Sequence, residues 1–233
     1  MKAWMKHQKK MKKIVVPRRF SLTKLALLAL PSILLGSAKA TVLTFDISGP
    51  NPLSGGTPLD PAYGDRVTST IDGVTGWEYG GLGGMTPNIV VDYNGGIDLW
   101  GPGYGDLINV LGHQQFAVPG SVDLVPDAGY DVVLNSFDIG GWNLVDYEGS
   151  VRILDGMGMV LYDSGTVTFP GDAHLTFPPS PIQSDTGLKI DLVFFGDNGI
   201  DNINFSQSPA VPEPSQVTLL VLGLTICNLR RRR

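Results

Sequence analysis

Between residues 41 and 210 the apolar positions fall in short runs, broken every few residues by Gly, Pro, Asn or Asp. The runs are rich in Val, Ile, Leu, Thr, Phe and Tyr, and none has the three-turn periodicity of an amphipathic helix. That pattern predicts an all-β domain, a sandwich or a barrel. The predicted strands are 41–47, 66–71, 88–93, 107–111, 121–125, 130–139, 150–154, 159–162, 166–169, 173–177, 187–195 and 200–205.

Three segments carry more detail. Leu188, Ile190, Leu192 and Phe194 alternate with Lys189, Asp191, Val193 and Phe195, so the first set shares one face. Val193 and Phe195 make the second face apolar as well, which predicts a central strand. Val151 and Ile153 lead into Asp155-Gly156, a turn dipeptide, and then Met159 to Tyr162, which predicts a hairpin with a slightly long loop. Val132 and Leu134 lie on one parity and Phe137 and Ile139 on the other, so a bulge is expected near Asn135-Ser136. Residues 79–105 set Tyr79, Tyr93, Trp100 and Tyr104 among nine glycines, which predicts a loop-rich stretch. It is no nucleotide loop, since no strand–GxGxxG–helix context surrounds it.

The two ends differ from this middle. Residues 1–40 read as a secretory signal peptide: ten Lys and Arg without an acid, an apolar core from Leu25 to Leu35, and Ala38-Lys39-Ala40 as the cleavage site, so that the mature chain begins at Thr41. At the other end, 211–233, Val211-Pro212-Glu213-Pro214-Ser215 is stiffened by its prolines. An uncharged run, Val217 to Leu229, and four arginines follow. That run is a short transmembrane helix candidate, below the ~20 residues that usually span a bilayer, with its arginines held on the cytoplasmic side.

The order Pro212-Glu213-Pro214, short apolar run and Arg cluster resembles the PEP-CTERM sorting signal of Gram-negative bacteria. The resemblance implies recognition and cleavage near Pro212-Glu213-Pro214 by an exosortase. It implies membrane anchoring through the C-terminal helix before processing, and delivery to the cell surface or the extracellular polysaccharide afterwards. A plain C-terminal membrane anchor is the alternative.

Once both ends are set aside, the charge changes. Residues 41–210 keep three cations, Arg66, Arg152 and Lys189, against 21 acids, a formal charge of −18 where the whole chain carries −5. Such a domain repels nucleic acid and anionic lipid headgroups. Cys227, in the tail, is the only cysteine, so the middle has no disulfide. One domain of about 170 residues is expected there, large enough to bury its own core.

Residues 136–142, Ser-Phe-Asp-Ile-Gly-Gly-Trp, and 199–206, Gly-Ile-Asp-Asn-Ile-Asn-Phe-Ser, resemble the β-sandwich ectodomains found with this kind of tail. The resemblance implies a single jelly-roll-like antiparallel β-sandwich, a fold that often binds carbohydrate and carries a structural calcium ion. Fold alone transfers no activity.

The candidate chemistry follows from residue type. Asp201 shares strand parity with Ile203 and Phe205, so if those face the core it points inward, at a cost unless it is paired or metal-bound. Asp46, Asp197, Asn198 and Asp201 form a candidate oxygen ligand set for one structural calcium ion. The alternative is a solvated turn whose side chains bond backbone. Trp100, Tyr104 and Trp142 are candidate sugar-stacking platforms, with core filling the alternative and, for Trp142, the weightier one. Catalysis has little to stand on: His113 and His174 lack metal spacing, no G-x-S-x-G elbow occurs, and Glu78 and Glu148 are the middle's only glutamates. The expectation is an exported, non-catalytic protein with extracellular polysaccharide as a candidate partner, and a polysaccharide-active enzyme on the same sandwich as the alternative.

Overall fold

The structure, a computed structural model, describes residues 40–46, 56, 58–80, 85–113, 120–194 and 197–210. The leader with Ala38 and the tail with Pro212, Glu213 and Pro214 lie outside the described residues; Ala40 is the first residue within them. Among the described residues every regular element is a strand, and no helix is long and apolar enough to cross a membrane.

The strands are β1 (Thr41–Leu43), β2 (Ile89–Asn94), β3 (Ile97–Trp100), β4 (Val110–His113), β5 (Gly120–Pro126), β6 (Tyr130–Gly141), β7 (Tyr147–Asp155), β8 (Val160–Asp163), β9 (Val167–Phe169), β10 (His174–Phe177), β11 (Ile182–Ser184), β12 (Leu188–Phe194) and β13 (Asn198–Pro209). They form two antiparallel sheets. One runs β10-β6-β13-β4-β3, with β11 continuing the β10 side of β6 and β1 pairing β13. The other runs β2-β5-β12-β7-β8, with β9 also on β7.

The sheets meet through a core that the alternation explains. Val132, Leu134, Phe137, Ile139, Ile200, Ile203 and Phe205 come from the first sheet. Val122, Leu124, Val151, Ile153, Leu188, Ile190 and Leu192 come from the second. β12 lies between β5 and β7, the central strand that its doubly apolar pattern predicts. β7 and β8 form the hairpin, with Asp155 Oδ1 accepting the N–H groups of Met157 and Met159 in the turn. The parity change in β6 is present and has a partner: the β6–β13 register slips on either side of Asn204, opposite Ser136.

Three departures have physical reasons. Residues 66–71 are not a strand; they carry single bridges at Val67–Thr86 and Ile71–Glu78. Arg66 takes a positive φ of 47°, and Ser69 and Asp72 side chains bond nearby backbone in competition with a ladder. β3 lies inside the glycine-rich stretch: Gly95-Gly96 is the corner by which the chain leaves β2 in one sheet for β3 in the other. Its alternation is legible once the corner is known, with Ile97 and Leu99 in the core cluster and Trp100 packed on the opposite side. β11 is three residues long, too short to stand out among prolines.

Candidate functional site

The outer face of the first sheet, away from the core, is crossed by the loop from Gly101 to Asn109, between β3 and β4. Gly199 in β13 shows how close it comes: a Cβ there would lie 2.3 Å from Val110 Cγ2 and 3.0 Å from the Tyr104 ring. Gly105 donates its N–H to the Gly141 carbonyl at the end of β6. Farther along, Asp106 Oδ1 meets His174 Nδ1 on β10 at 2.7 Å, and Asn109 Nδ2 donates to Asp46 Oδ1 at 2.7 Å. Tyr104, Leu107, Val110 and Trp100 form a small second apolar cluster under the loop.

This arrangement reverses the expected roles of the aromatic residues. Tyr104 is 2% exposed and its hydroxyl donates to Asp197 Oδ1 at 3.1 Å. Burial, then the Asp197 carboxylate, pushes its phenol well above the usual tyrosine range. Trp100 is half-buried in the same cluster, with an indole Nε1 that has no partner among the described residues. Trp142, expected in the sandwich core, is 41% exposed. It follows β6 directly, bridges Tyr104, and stands against Gly103. Its N–H donates to the Asp197 carbonyl and its carbonyl accepts from Val145, while Asn143 donates to the Gly103 carbonyl. The ring is therefore displayed to solvent from a backbone tied at several points.

The turn after Trp142 is unusual. Asn143 and Leu144 both have positive φ, 57° and 59°, and Leu144 is 78% exposed. Asn tolerates this region; Leu does not readily adopt it, and such conformations gather where a site has to be shaped.

The four candidate cation ligands do not converge. Successive strand residues face opposite sides of a sheet. Ile200 is in the core, so Asn198 shares its side, buried at 2% with neither amide atom hydrogen-bonded. Asp201 faces the other way. The parity argument that places it with Ile203 and Phe205 fails at Asn202, whose φ of 52° lets Ile200 and Ile203 both point inward. Asp201 is nonetheless 5% exposed, on the outer face. Its Oδ1 accepts the N–H of Asn202 at 2.6 Å. Burial raises its carboxyl to about 8, the Asn202 bond opposes that, and Asp46 and Asp138 add to it. Asp197 is taken up by Tyr104. Asn198 therefore faces away from Asp201, and among the described residues no three His, Cys, Asp or Glu side chains gather to hold a metal ion.

No family model matches the chain, and no curated protein matches it. Among solved structures it is similar to a Podospora anserina GH26-CBM35 β-(1,4)-mannanase, at 19% identity and a TM-score of 0.33, over 55% of this chain and 29% of that one. It is similar to an Arthrobacter globiformis T6 isomalto-dextranase complexed with panose, at 17% and 0.29, over 52% and 23%. The third is the family 11 carbohydrate-binding module of a Clostridium thermocellum cellulosomal cellulase, at 14% and 0.23, over 64% of this chain and 98% of that one. The alignment spans less than a third of the first two proteins. Likeness this slight transfers no activity, and the function has to be argued from this chain's own residues.

Proposed function

We propose that this is an exported surface or matrix protein whose jelly-roll-like sandwich binds polysaccharide without cleaving it. The observation that carries the binding is Trp142: a large, exposed ring on a backbone tied to that of Asp197, whose carboxylate accepts from the Tyr104 hydroxyl. Flat aromatic faces suit the apolar faces of pyranose rings, and a neighbouring carboxylate accepts from their hydroxyls. In this reading Tyr104 does not touch the sugar; it holds Asp197. Export through the leader, and sorting by an exosortase at Pro212-Glu213-Pro214, are supported by where the sandwich lies. Among the described residues its first strand starts at Thr41 and its last ends at Pro209, so both end segments can leave without cutting either of these strands.

The test is a titration of the protein with soluble neutral polysaccharides. Trp142→Ala should weaken binding at least about tenfold, ~1.4 kcal/mol. Unchanged affinity would reject the site. A second reading, a polysaccharide-cleaving enzyme, is favoured by one observation: Asp201 is buried beside Asp46 and Asp138, and that burial pushes its carboxyl up to about 8. That is the kind of group that acts as an acid in glycoside cleavage. Release of reducing ends, lost in Asp201→Asn, would select it.

A further inference from the structure

A second polar recess lies far from Trp142. A cavity of about 160 Å³ is lined by Asp65, Arg66, Thr68, Ser69, Asp72 and Tyr79, among others. Its walls are held from several sides. Asp65 Oδ1 accepts the N–H of Val91, and burial raises this carboxyl. Asp72 Oδ1 closes the turn by accepting from Val74 and Thr75. Tyr79 stacks on Tyr63 with centroids 5.4 Å apart, and its hydroxyl accepts the N–H of Gly64. Arg66, at positive φ, is turned to Asp127 and makes two bonds there, at 2.5 and 2.8 Å. The guanidinium is thus engaged, and the recess presents the carboxylates of Asp65 and Asp72 and the hydroxyl of Thr68, while the Tyr79 ring is buried and the Ser69 hydroxyl donates to the Ile71 carbonyl.

This lining selects a class of ligand. Carboxylates and a threonine hydroxyl accept from and donate to sugar hydroxyls, in a recess whose lining is predominantly polar. A uronate would bring a third negative charge to a site whose one cation is already paired, so neutral sugars and amino sugars fit and acidic ones do not. The position of the recess matters as much. Asp127, the partner of Arg66, lies in the turn that leads into β6, and Trp142 follows the other end of β6. β6 has 12 residues, so at about 3.3 Å each the two places are some 40 Å apart.

We infer that the sandwich is bivalent: the recess at 65–79 takes one neutral or amino-sugar residue, Trp142 takes another at the far end, and the protein cross-links polysaccharide chains. This rests on the proposed binding at Trp142 and extends it from attachment to network formation. Separate sites on a stiff body join different chains more readily than neighbouring residues of one chain, and the gain appears as avidity.

Purified full-length protein is mixed with a soluble β-glucan, a mannan, a galactan and, as the acidic arm, a polyuronate. Binding is followed by titration and cross-linking by turbidity and viscosity. The bivalent protein should raise turbidity at intermediate protein-to-polymer ratios with at least one of the neutral polymers and not with the polyuronate. Gly73→Leu adds a bulky side chain to the lining of the recess; a Cβ at Gly73 meets nothing within 4 Å, so the variant should fold, as its melting curve checks. It should still bind through Trp142 but lose the turbidity maximum. Trp142→Ala should lose it also. Gly73→Leu that cross-links as well as the parent, or cross-linking of the polyuronate alone, would overturn the bivalent reading while leaving binding at Trp142 standing. Absence of binding in every arm would instead remove the proposed function itself.

Discussion

Among the described residues, the non-glycine residues with positive φ are Phe45, Arg66, Asn143, Leu144 and Asn202. Each stands beside a group singled out above: Asp46, the recess, Trp142 and Asp201. Among these, Asp201 has the clearest consequence. Its folded pKa is raised from 3.8 to about 8, so the folded state holds a proton that the unfolded state releases. The stability this proton contributes is complete below pH ~4 and is lost as pH rises through about 8. The groups that face it are Asp46, after β1, and Asp138 on β6, with Asp106 and His174 beyond Asp138. Thermal melts between about pH 5 and 9 should fall toward the alkaline end, by an amount on the order of a few kcal/mol. Asp201→Asn should flatten the curve; a wild-type profile already flat would contradict the raised carboxyl. A chelator should leave the melting temperature unchanged, since Asp46, Asp197, Asn198 and Asp201 point to two faces. A clear drop would place a cation beneath the loop after all.

At the scale of elements, what the sequence made legible was local. The alternation of β12 needs only neighbours two residues apart, and the bulge in β6 is written in its own parity change. The crossing of loop 101–109 was not legible, because its anchors are distant in sequence: Asn109 with Asp46, Asp106 with His174, Tyr104 with Asp197. For the same reason the sequence could not show which aromatic is buried. An aromatic among glycines reads as exposed; here Tyr104 lies on Gly140 and Gly199, distant in sequence, and the exposed aromatic is Trp142. Gly105→Ala tests how closely the loop approaches Ala173. At φ 60° its Cβ would lie 2.0 Å from the Ala173 carbonyl oxygen, so backbone strain and overpacking together should cost about 2–5 kcal/mol in denaturant titration. Strand position makes a second contrast. Ile190→Ala, in the middle of β12, should cost about 2–5 kcal/mol. Val160→Ala, exposed on the edge strand β8, should stay within about 0.5 kcal/mol. Similar losses at both positions would contradict the sheet order.

The whole molecule is governed by its charge. Ion pairs join Arg66 to Asp127 and Arg152 to Asp191, and Lys189 lies near Asp123. Three cations leave most of the 21 acids of residues 41–210 uncompensated. Mutual repulsion of that kind weakens as the Debye length shrinks from about 30 Å at 0.01 M to about 3 Å at 1 M salt. Melting temperature should therefore climb with sodium chloride over this range, and no rise would mean that the charges are already neutralised.

If the leader is removed after Ala40, as proposed, the pairing of β1 with β13 ties the new N-terminus to the finished fold. Thr41 is buried, lies opposite Phe205, and bonds its hydroxyl to that of Thr86 at 2.8 Å. A peptidase that cut after Ala40 would leave this clasp whole; one that strayed a single residue further would unfasten it. Imprecise trimming would thus yield a mixed population of hardy and heat-labile molecules from one gene product, and the fidelity of a cell's processing enzyme would be recorded in the protein's endurance outside it.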